Sequence, residues 1–195
     1  MKALYDFILE TDKRYNNTVD VDGKELVVNT EITERDAQFV NRLARVVATP
    51  IYGETPIQIG DEVVIHHNIF RRWYDVRGNE RNSGDFLDDN QFKAHHDQVF
   101  AYKRDGVWRC PDMYCFVEPI KDDAKFRENM YKDLRGILTY TNNVLDDVGL
   151  KVGDEVGFTP NSEYRFDIEG KVLYRIYSND ITINYGLKEE TTTET

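Results

Sequence analysis

The sequence predicts an all-β protein built from two tandem small β-barrels. Short segments rich in Val, Ile, Tyr and Phe recur about every ten residues along the chain, separated by Asp-Gly, Asn and Pro turn signals. Helical periodicity is weak, and one motif occurs twice with similar segments around it. Many short strands with regular turns are typical of barrels and sandwiches, and the repetition indicates two units of the same kind.

The segments with the strongest strand signal are spread over the whole chain. Each is short and combines β-branched or aromatic residues with a turn signal at its end. They are Leu4–Glu10, Arg45–Thr49, Glu62–His66, Gln98–Tyr102, Tyr114–Glu118, Gly136–Tyr140, Glu155–Thr159, Val172–Tyr177 and Asp180–Tyr185. Helix is expected only as a turn or two within Glu34–Leu43 and Asp123–Leu134, where apolar residues recur at helical spacing.

The repeated motif is an apolar residue followed by Gly-Asp-Glu-Val. It occurs at Gly60–Val63 and again at Gly153–Val156, and each copy opens a strand-like segment. Glycine supplies a positive φ and aspartate can bond the backbone near it, so this step makes a tight turn entering a strand. Such turns occur in unrelated β proteins, and the order of the surrounding segments therefore decides whether the chain repeats a whole unit.

The segments around the two motifs follow the same order. Arg45–Ala48 precedes the first motif as Arg135–Thr139 precedes the second, and the closing segments Asp97–Ala101 and Asn179–Ile183 also correspond. This order predicts two homologous β units, residues 1–109 and 110–187. The remaining residues, 188–195, form an acidic, Thr-rich tail without apolar side chains and are expected to be disordered.

Composition argues against nucleic acid and membrane partners. The formal net charge is −11 and the isoelectric point is about 4.8, so the summed field repels phosphate backbones and anionic lipid. No apolar run approaches the roughly 18 residues of a membrane span, and the first residues lack the order of a signal peptide. We expect a soluble, cytoplasmic protein.

The sequence contains no motif that indicates an enzyme or a cofactor. Gly-x-Ser-x-Gly, P-loop and His-Glu-x-x-His patterns are absent. Four residues separate Cys110 from Cys115, rather than the two of a redox or zinc pair, so free thiols are expected. We therefore predict a non-enzymatic protein without metal or cofactor.

Two histidine pairs and one cationic segment leave alternatives open. Adjacent strand residues face opposite sides, so a metal would need one histidine from His66-His67, one from His95-His96 and a carboxylate. Rim histidines are the simpler interpretation. The segment Arg71–Tyr74 mixes cations with aromatics as single-strand binders do, but an arginine stacked on Trp73 explains it more simply in so acidic a chain.

The second unit resembles the GroES family of co-chaperonins. That family's barrel runs through an Arg-Gly-x-Val strand, a Val-x-x-Gly-Asp-x-Val turn, an acidic hairpin and a closing Ser-x-Asp-Ile strand. The corresponding segments here are Arg135–Leu138, Leu150–Val156, Phe166–Arg175 and Ser178–Ile183. The resemblance implies a GroES-like barrel in each unit, duplicated as in large-bacteriophage co-chaperonins. Compact family members have no counterpart of the insert at residues 70–94.

The resemblance also implies a docking loop after the first strand. GroES proteins carry there a flexible loop whose Gly-Gly-Ile-Val-Leu-like segment docks on the chaperonin ring. Here the polar stretch 12–36 contains Gly23 and the aliphatic triplet Leu26, Val27 and Val28, which are the candidate partner-binding residues. A plain β-hairpin around Asp22-Gly23 is the alternative, and a loop that docks as a hairpin satisfies both interpretations.

The function implied by the resemblance is that of a lid for a GroEL-type chaperonin ring. The chain would form a homo-oligomeric ring, of about seven subunits if the family pattern holds, and would assist the folding of a client phage protein in the host cytoplasm. Nucleotide chemistry would belong to the chaperonin. The alternative is a viral structural protein of the virion, built on the same barrel.

Overall fold

The computed structural model describes residues 2–15, 18–22, 24–27, 40–88, 90–121 and 131–187, and these residues form mainly β-strands. The chain divides into two compact units, Met1–Asp105 and Gly106–Thr195. Within these ranges the one α-helix, α1, spans only Asn143–Asp147, and no helix is long and apolar enough to cross a membrane. The predicted all-β class is confirmed.

The described residues of the first unit form ten strands. Two short 3-10 turns accompany them: His67–Ile69 follows the fifth strand, and His96–Gln98 directly precedes the tenth. The strands are β1 Phe7–Glu10, β2 Thr18–Val21, β3 Lys24–Val27, β4 Leu43–Ala48, β5 Glu62–Ile65, β6 Arg72–Tyr74, β7 Glu80–Asn82, β8 Phe86–Asp88, β9 Gln91–Ala94 and β10 Val99–Arg104.

The described residues of the second unit form seven strands and the helix α1, which lies between the third and the fourth of these strands. A 3-10 turn, Ser178–Asp180, precedes the last strand as the turn His96–Gln98 precedes β10. The strands are β11 Val107–Arg109, β12 Tyr114–Lys121, β13 Tyr131–Tyr140, β14 Asp154–Phe158, β15 Tyr164–Ile168, β16 Lys171–Tyr177 and β17 Ile181–Leu187. Each of the nine segments predicted as strands overlaps one of the observed strands.

The two large sheets repeat one topology. The first has the order β11-β10-β5-β4-β1-β9-β8, and the second, listed from its last strand, has the order β17-β14-β13-β12-β16-β15. From β10 to β8 and from β17 to β15 the strands therefore correspond one to one. In the described ladders both sheets are open, and two small hairpins, β2–β3 and β6–β7, form separate sheets.

The glycine of the repeated motif occupies the same place in both units. Gly60 has a φ of +94° and Gly153 a φ of +98°, a left-handed conformation that glycine adopts without strain. The amide of Gly60 donates to the carbonyl of Val46, and the amide of Gly153 donates to that of Leu138, each at 2.8 Å. The turn is thereby bonded to the preceding strand, β4 or β13.

The aspartate of the motif also makes the same contact twice. The buried carboxylate of Asp61 accepts a hydrogen bond from the amide of Gln58 at 2.8 Å, and that of Asp154 accepts one from Lys151 at 2.9 Å. The two turns differ in one partner. Arg104 donates to both oxygens of Asp61, at 3.0 and 2.6 Å, and so adds a charge-assisted pair to the first turn.

Each large sheet has its own core of aliphatic and aromatic side chains. Alternation along β1 buries Phe7 and Leu9 completely while Glu10 is exposed, the pattern of a strand with one face in a core. The first cluster includes Phe7, Leu9, Val46, Val63, Ile65, Phe92 and Ala94. The second includes Cys115, Val117, Leu138, Val156, Phe158 and Ile176.

The helical expectations from the sequence are not met where they can be compared. Most of Glu34–Leu43 lies outside the described residues, and its last residue, Leu43, begins β4. Of Asp123–Leu134, the described part, 131–134, belongs to β13. The helix that does form, α1, is only five residues long and begins after Asn142, whose side chain accepts from the Leu145 amide at 3.0 Å. It is too short to show helical periodicity in the sequence. The predicted tail, 188–195, lies outside the described residues.

Substitution of the two motif aspartates should have unequal effects. Asp61→Ala removes the acceptor of the Gln58 amide and leaves the Arg104 guanidinium with only the Pro56 carbonyl, and we expect it to lower the free energy of unfolding by about 3 kcal/mol. Asp154→Ala removes the carboxylate that accepts from the Lys151 backbone amide and, at 3.4 Å, from the Asn184 side chain. We expect the free energy of unfolding to fall by about 1–2 kcal/mol. Native-state hydrogen exchange of the β5 and β14 amides measures the two units separately. Exposed Asp112→Ala is the control, and equal losses at the two turns would contradict a contribution from Arg104.

Candidate partner-docking site

Two of the three aliphatic residues predicted to dock on a partner, Leu26 and Val27, lie in a hairpin. Leu26 and Val27 belong to β3, and Gly23 and Val28 lie outside the described residues. In the β2–β3 ladder Leu26 pairs with Val19, and Val27 with Thr18. The hairpin form considered in the sequence analysis is therefore the form this segment adopts. We call β2 and β3 the docking hairpin.

The turn of the docking hairpin follows from its sequence. Asp22 has a φ of +54°, the left-handed conformation that two-residue hairpin turns require, and Asp-Gly is a favoured pair there. The flanking residues Val21 and Lys24 face each other in the ladder. The Val21 side chain is exposed. An apolar side chain therefore stands in solvent beside the turn.

The two ends of the segment that carries the docking hairpin meet at the bridge between Tyr15 and Val40, which we call the neck. Tyr15 and Val40 form an antiparallel bridge, and both side chains are buried. The backbone amide of Asn41 donates to the carbonyl of Arg14 at 2.8 Å, and its side-chain amide donates to the carbonyl of Lys13 at 2.7 Å. Residues 16–39 thus begin and end at a point fixed by several hydrogen bonds.

A second hairpin, β6–β7, stands in the connection between β5 and β8. We call it the insert hairpin. The corresponding connection in the second unit, residues 159–163 between β14 and β15, contains only a turn. Of the insert predicted at residues 70–94, β8 and β9 correspond to β15 and β16, so the part without a counterpart in the second unit is the insert hairpin.

The neck and the base of the insert hairpin are clamped together by Arg14 and Tyr15. The Arg14 guanidinium donates to the carbonyl of Phe70 at 3.1 Å and to the side-chain oxygen of Asn82 at 2.9 Å. The Tyr15 hydroxyl accepts from the amide of Arg72 at 2.8 Å, and the Arg72 guanidinium lies 5.3 Å from the Tyr15 ring. The stacking expected on Trp73 is thus made by Arg72 on Tyr15. We call Arg14 and Tyr15 the neck clamp.

The turn of the insert hairpin is organised by one carboxylate. Asp75 accepts hydrogen bonds from the backbone amides of Arg77 at 2.9 Å and Asn79 at 3.0 Å. Its other oxygen accepts from the Arg81 guanidinium at 3.0 Å. These bonds, the Asn79 amide first, lower the pKa of the Asp75 carboxyl, because they favour its ionised form. The turn keeps these hydrogen bonds at every pH at which the Asp75 carboxyl is ionised.

The histidine pairs are not arranged as strand neighbours. His67 begins a 3-10 turn, and its ring stacks on that of His66 with the centroids 4.4 Å apart, so the expectation that the two face opposite sides is wrong. Burial, followed by the charge of His66, lowers the pKa of His67 to about 4. His95 instead contacts Asp6 at 2.5 Å. Among the residues that the structure describes, no three His, Cys, Asp or Glu are grouped as a metal site requires.

The two cysteines are buried free thiols, as the sequence predicts. Cys110 and Cys115 lie in the second unit without a disulfide. Burial raises the pKa of Cys115 to about 12 and that of Cys110 well above the ordinary thiol value. Both are therefore protonated near neutral pH, and their side chains pack as small apolar groups.

The sequence reveals the hairpin but not the neck clamp. The Asp22-Gly23 turn is local and is recognised from two adjacent residues. The clamp joins Arg14 and Tyr15 to residues about 57 positions further along, and nothing in the sequence around either end signals that contact. An arginine and a tyrosine beside a polar stretch are ordinary surface residues until the fold brings their partners to them.

No protein-family model matches the chain, and no curated protein matches it.

Loss of the Tyr15 hydroxyl should weaken the neck clamp measurably. Tyr15→Phe removes the acceptor of the Arg72 amide and keeps the buried ring, so we expect the free energy of unfolding to fall by about 1–2 kcal/mol. The matched control is Tyr5→Phe, because the Tyr5 ring is exposed and stacks on Tyr52. Urea denaturation of both variants is the measurement. A Tyr15→Phe protein as stable as the control would show that the hydroxyl does not stabilise the neck.

Proposed function

We propose that this chain is a co-chaperonin that caps a GroEL-type chaperonin ring and assists the folding of phage proteins in the host cytoplasm. The observation that supports this most is the docking hairpin, which stands apart from both large sheets on a neck fixed at Tyr15 and Val40. An aliphatic element presented from a fixed neck suits a protein that binds a partner's apolar groove.

The docking mechanism would be passive. Leu26, Val27 and Val28 would occupy an apolar groove of the chaperonin, with Gly23 as a further residue of the docking segment. A segment that is already paired as a hairpin loses less conformational entropy on binding than an unpaired loop does. Several weak hairpins in one oligomer then act together, because each binds at high effective concentration once the first has docked. No cofactor or enzymatic step of the chain itself is needed.

Each unit would form a GroES-like, partly open barrel by curling its large sheet around its own core. The two sheets share their strand order and each buries one apolar cluster, which is compatible with the same curvature in both. The net charge of −11 suits a chamber wall that does not retain an unfolded client through apolar contacts.

In the described ladders β17 is paired on one side only, and this edge supports a homo-oligomeric ring. This strand ends the six-stranded sheet and exposes Ile183, Tyr185 and Leu187. An exposed strand with an unpaired edge is a template for pairing with another chain. Pairing along β17 would join successive copies, and ring closure would remove the free edges.

The native mass should be that of a closed oligomer. We expect light scattering at micromolar concentration to give a multiple of the 22.9 kDa chain, about seven if the family pattern holds. Tyr185→Pro, which prevents backbone donation along β17, should lower that mass, whereas the exposed Tyr5→Pro outside the strands should not. A wild-type monomer would count against a lid.

A charged residue in the docking hairpin should abolish chaperonin binding. We expect Val27→Asp to prevent recovery of a GroEL-type chaperonin in a nucleotide-dependent pull-down, because a carboxylate cannot enter an apolar groove without a large desolvation cost. The melting temperature should change little if the hairpin serves the partner rather than the core. The matched control is Val148→Asp, an exposed valine of the second unit, which should bind like the wild type.

Two outcomes would oppose the proposal in different ways. Binding retained by Val27→Asp would remove the docking hairpin from the mechanism. A wild-type chain that never binds chaperonin would contradict the co-chaperonin function, and recovery of the chain in purified virions would then favour the viral structural alternative. A large fall in the melting temperature of Val27→Asp would indicate that the hairpin belongs to the core of the first unit.

A further inference from the structure

The tip of the insert hairpin presents large apolar side chains to solvent. Trp73 is 44% exposed and Tyr74 is 53% exposed, although both lie in a β-strand. Val76, in the turn, is fully exposed. Single exposed apolar residues are ordinary, but three within four positions expose apolar surface at the turn of this hairpin and on both of its faces, since adjacent strand residues face opposite sides.

These side chains stand on a turn that is already ordered. Asp75 bonds both sides of the turn through the amides of Arg77 and Asn79, and its own amide donates to the Asn79 carbonyl at 2.9 Å. The Arg81 guanidinium pairs with the same carboxylate. Little conformational entropy remains to be lost when a partner covers the tip. The printed bonds of the Asp75 carboxylate all stay within this hairpin, so they stabilise the turn rather than the core of the unit.

The charge of the insert hairpin is opposite to that of the chain. Residues 71–82 carry four arginines, Arg71, Arg72, Arg77 and Arg81, against the two acids Asp75 and Glu80. The ion pairs Arg72–Glu80 at 3.5 Å and Arg81–Asp75 at 3.0 Å join two of these arginines to the two acids. The net positive charge therefore rests with the other two arginines. A surface that combines apolar groups with carboxylates complements this tip.

The position of the insert hairpin relates it to the docking hairpin. Its base at Arg72 and Asn82 is bound to the neck clamp, and the docking hairpin begins at Thr18, three positions after Tyr15. At about 3.3 Å per residue, the four residues of β2 and the three of β6 give each hairpin a length of roughly 10–15 Å. A partner as large as a chaperonin subunit that holds one hairpin is therefore within reach of the other.

We propose that the tip of the insert hairpin, formed by Trp73, Val76 and Arg77, is a second contact site for the chaperonin that the docking hairpin binds. Its contact surface on the chaperonin presents carboxylates beside apolar side chains. This inference rests on the proposed function and adds a binding element to it. Two contacts per chain, joined through the neck clamp, raise the affinity of each chain beyond that of the docking hairpin alone.

The fold does not depend on the insert hairpin. The second unit builds the same strand order with only a turn between β14 and β15. Variants at the tip should therefore fold, and their effects on binding can be read directly. The informative substitutions are Val76→Ser, which removes an exposed apolar group, and Arg77→Glu, which reverses the charge. Their matched controls are Val107→Ser in β11 and Lys171→Glu in β16, where both side chains are exposed.

The experiment measures binding of the full-length chain to an immobilised, purified GroEL-type chaperonin with nucleotide present. We expect Val76→Ser to weaken binding about threefold and Arg77→Glu about tenfold, while both controls stay within about twofold of the wild type. Added salt should weaken the wild type more than Arg77→Glu, because the variant lacks the screened attraction. Thermal melts check that all four variants are folded.

The outcomes separate this inference from the function on which it rests. If the wild type binds and Val27→Asp does not, but both tip variants bind like the wild type, the second contact site is overturned and the docking hairpin stands. If the wild type does not bind at all, the co-chaperonin function fails and the second site fails with it. A tip-dependent affinity for a fluorescent single-stranded oligonucleotide, or a change of oligomer mass in Arg77→Glu, would assign the tip to nucleic acid or to a second copy and overturn the proposal.

Discussion

Both units depend on a buried carboxylate that follows a left-handed glycine. The Gly60 and Gly153 amides reach back to the preceding strand, and Asp61 and Asp154 close the turn onto a backbone amide. A strand that slipped by one residue would turn its apolar side chains away from the core and break these bonds together. The Gly-Asp step therefore fixes the register of the central strands, on which the core and the outer strands are assembled.

The strands that the sequence predicts are those whose formation depends on local chemistry. Core strands such as β1 and β14 combine apolar alternation with a turn signal, and both are visible in a short window. Strands β6, β7 and β11 have only three residues each, and Glu80–Asn82 is entirely polar. They form because a turn or a neighbouring strand supplies hydrogen-bond partners, which no periodicity in the sequence records. Those strands could not have been predicted from the sequence alone.

The candidate site divides in the same way. The docking hairpin can be recognised because Asp22-Gly23 determines its turn locally, and the aliphatic residues after it stand out in a polar stretch. The neck clamp could not be predicted, because the hydrogen bonds of Arg14 and Tyr15 depend on the fold of residues more than fifty positions away. The sequence indicates the candidate binding element, the docking hairpin. What the structure adds is the place at which that element is held.

The comparison of the two units separates scaffold from addition. Six strands in each sheet follow one order and need the same turn, so they are sufficient for the fold of a unit. The insert hairpin is absent from the described connection of the second unit, is bonded to the neck of the docking hairpin, and carries a positive charge in an acidic chain. A feature that the fold does not require, that is ordered by Asp75 in the free chain and that exposes aromatic rings is best explained by an external contact. On the proposed function, that contact and the docking hairpin would form one binding face of the first unit, because both hairpins start from the neck clamp.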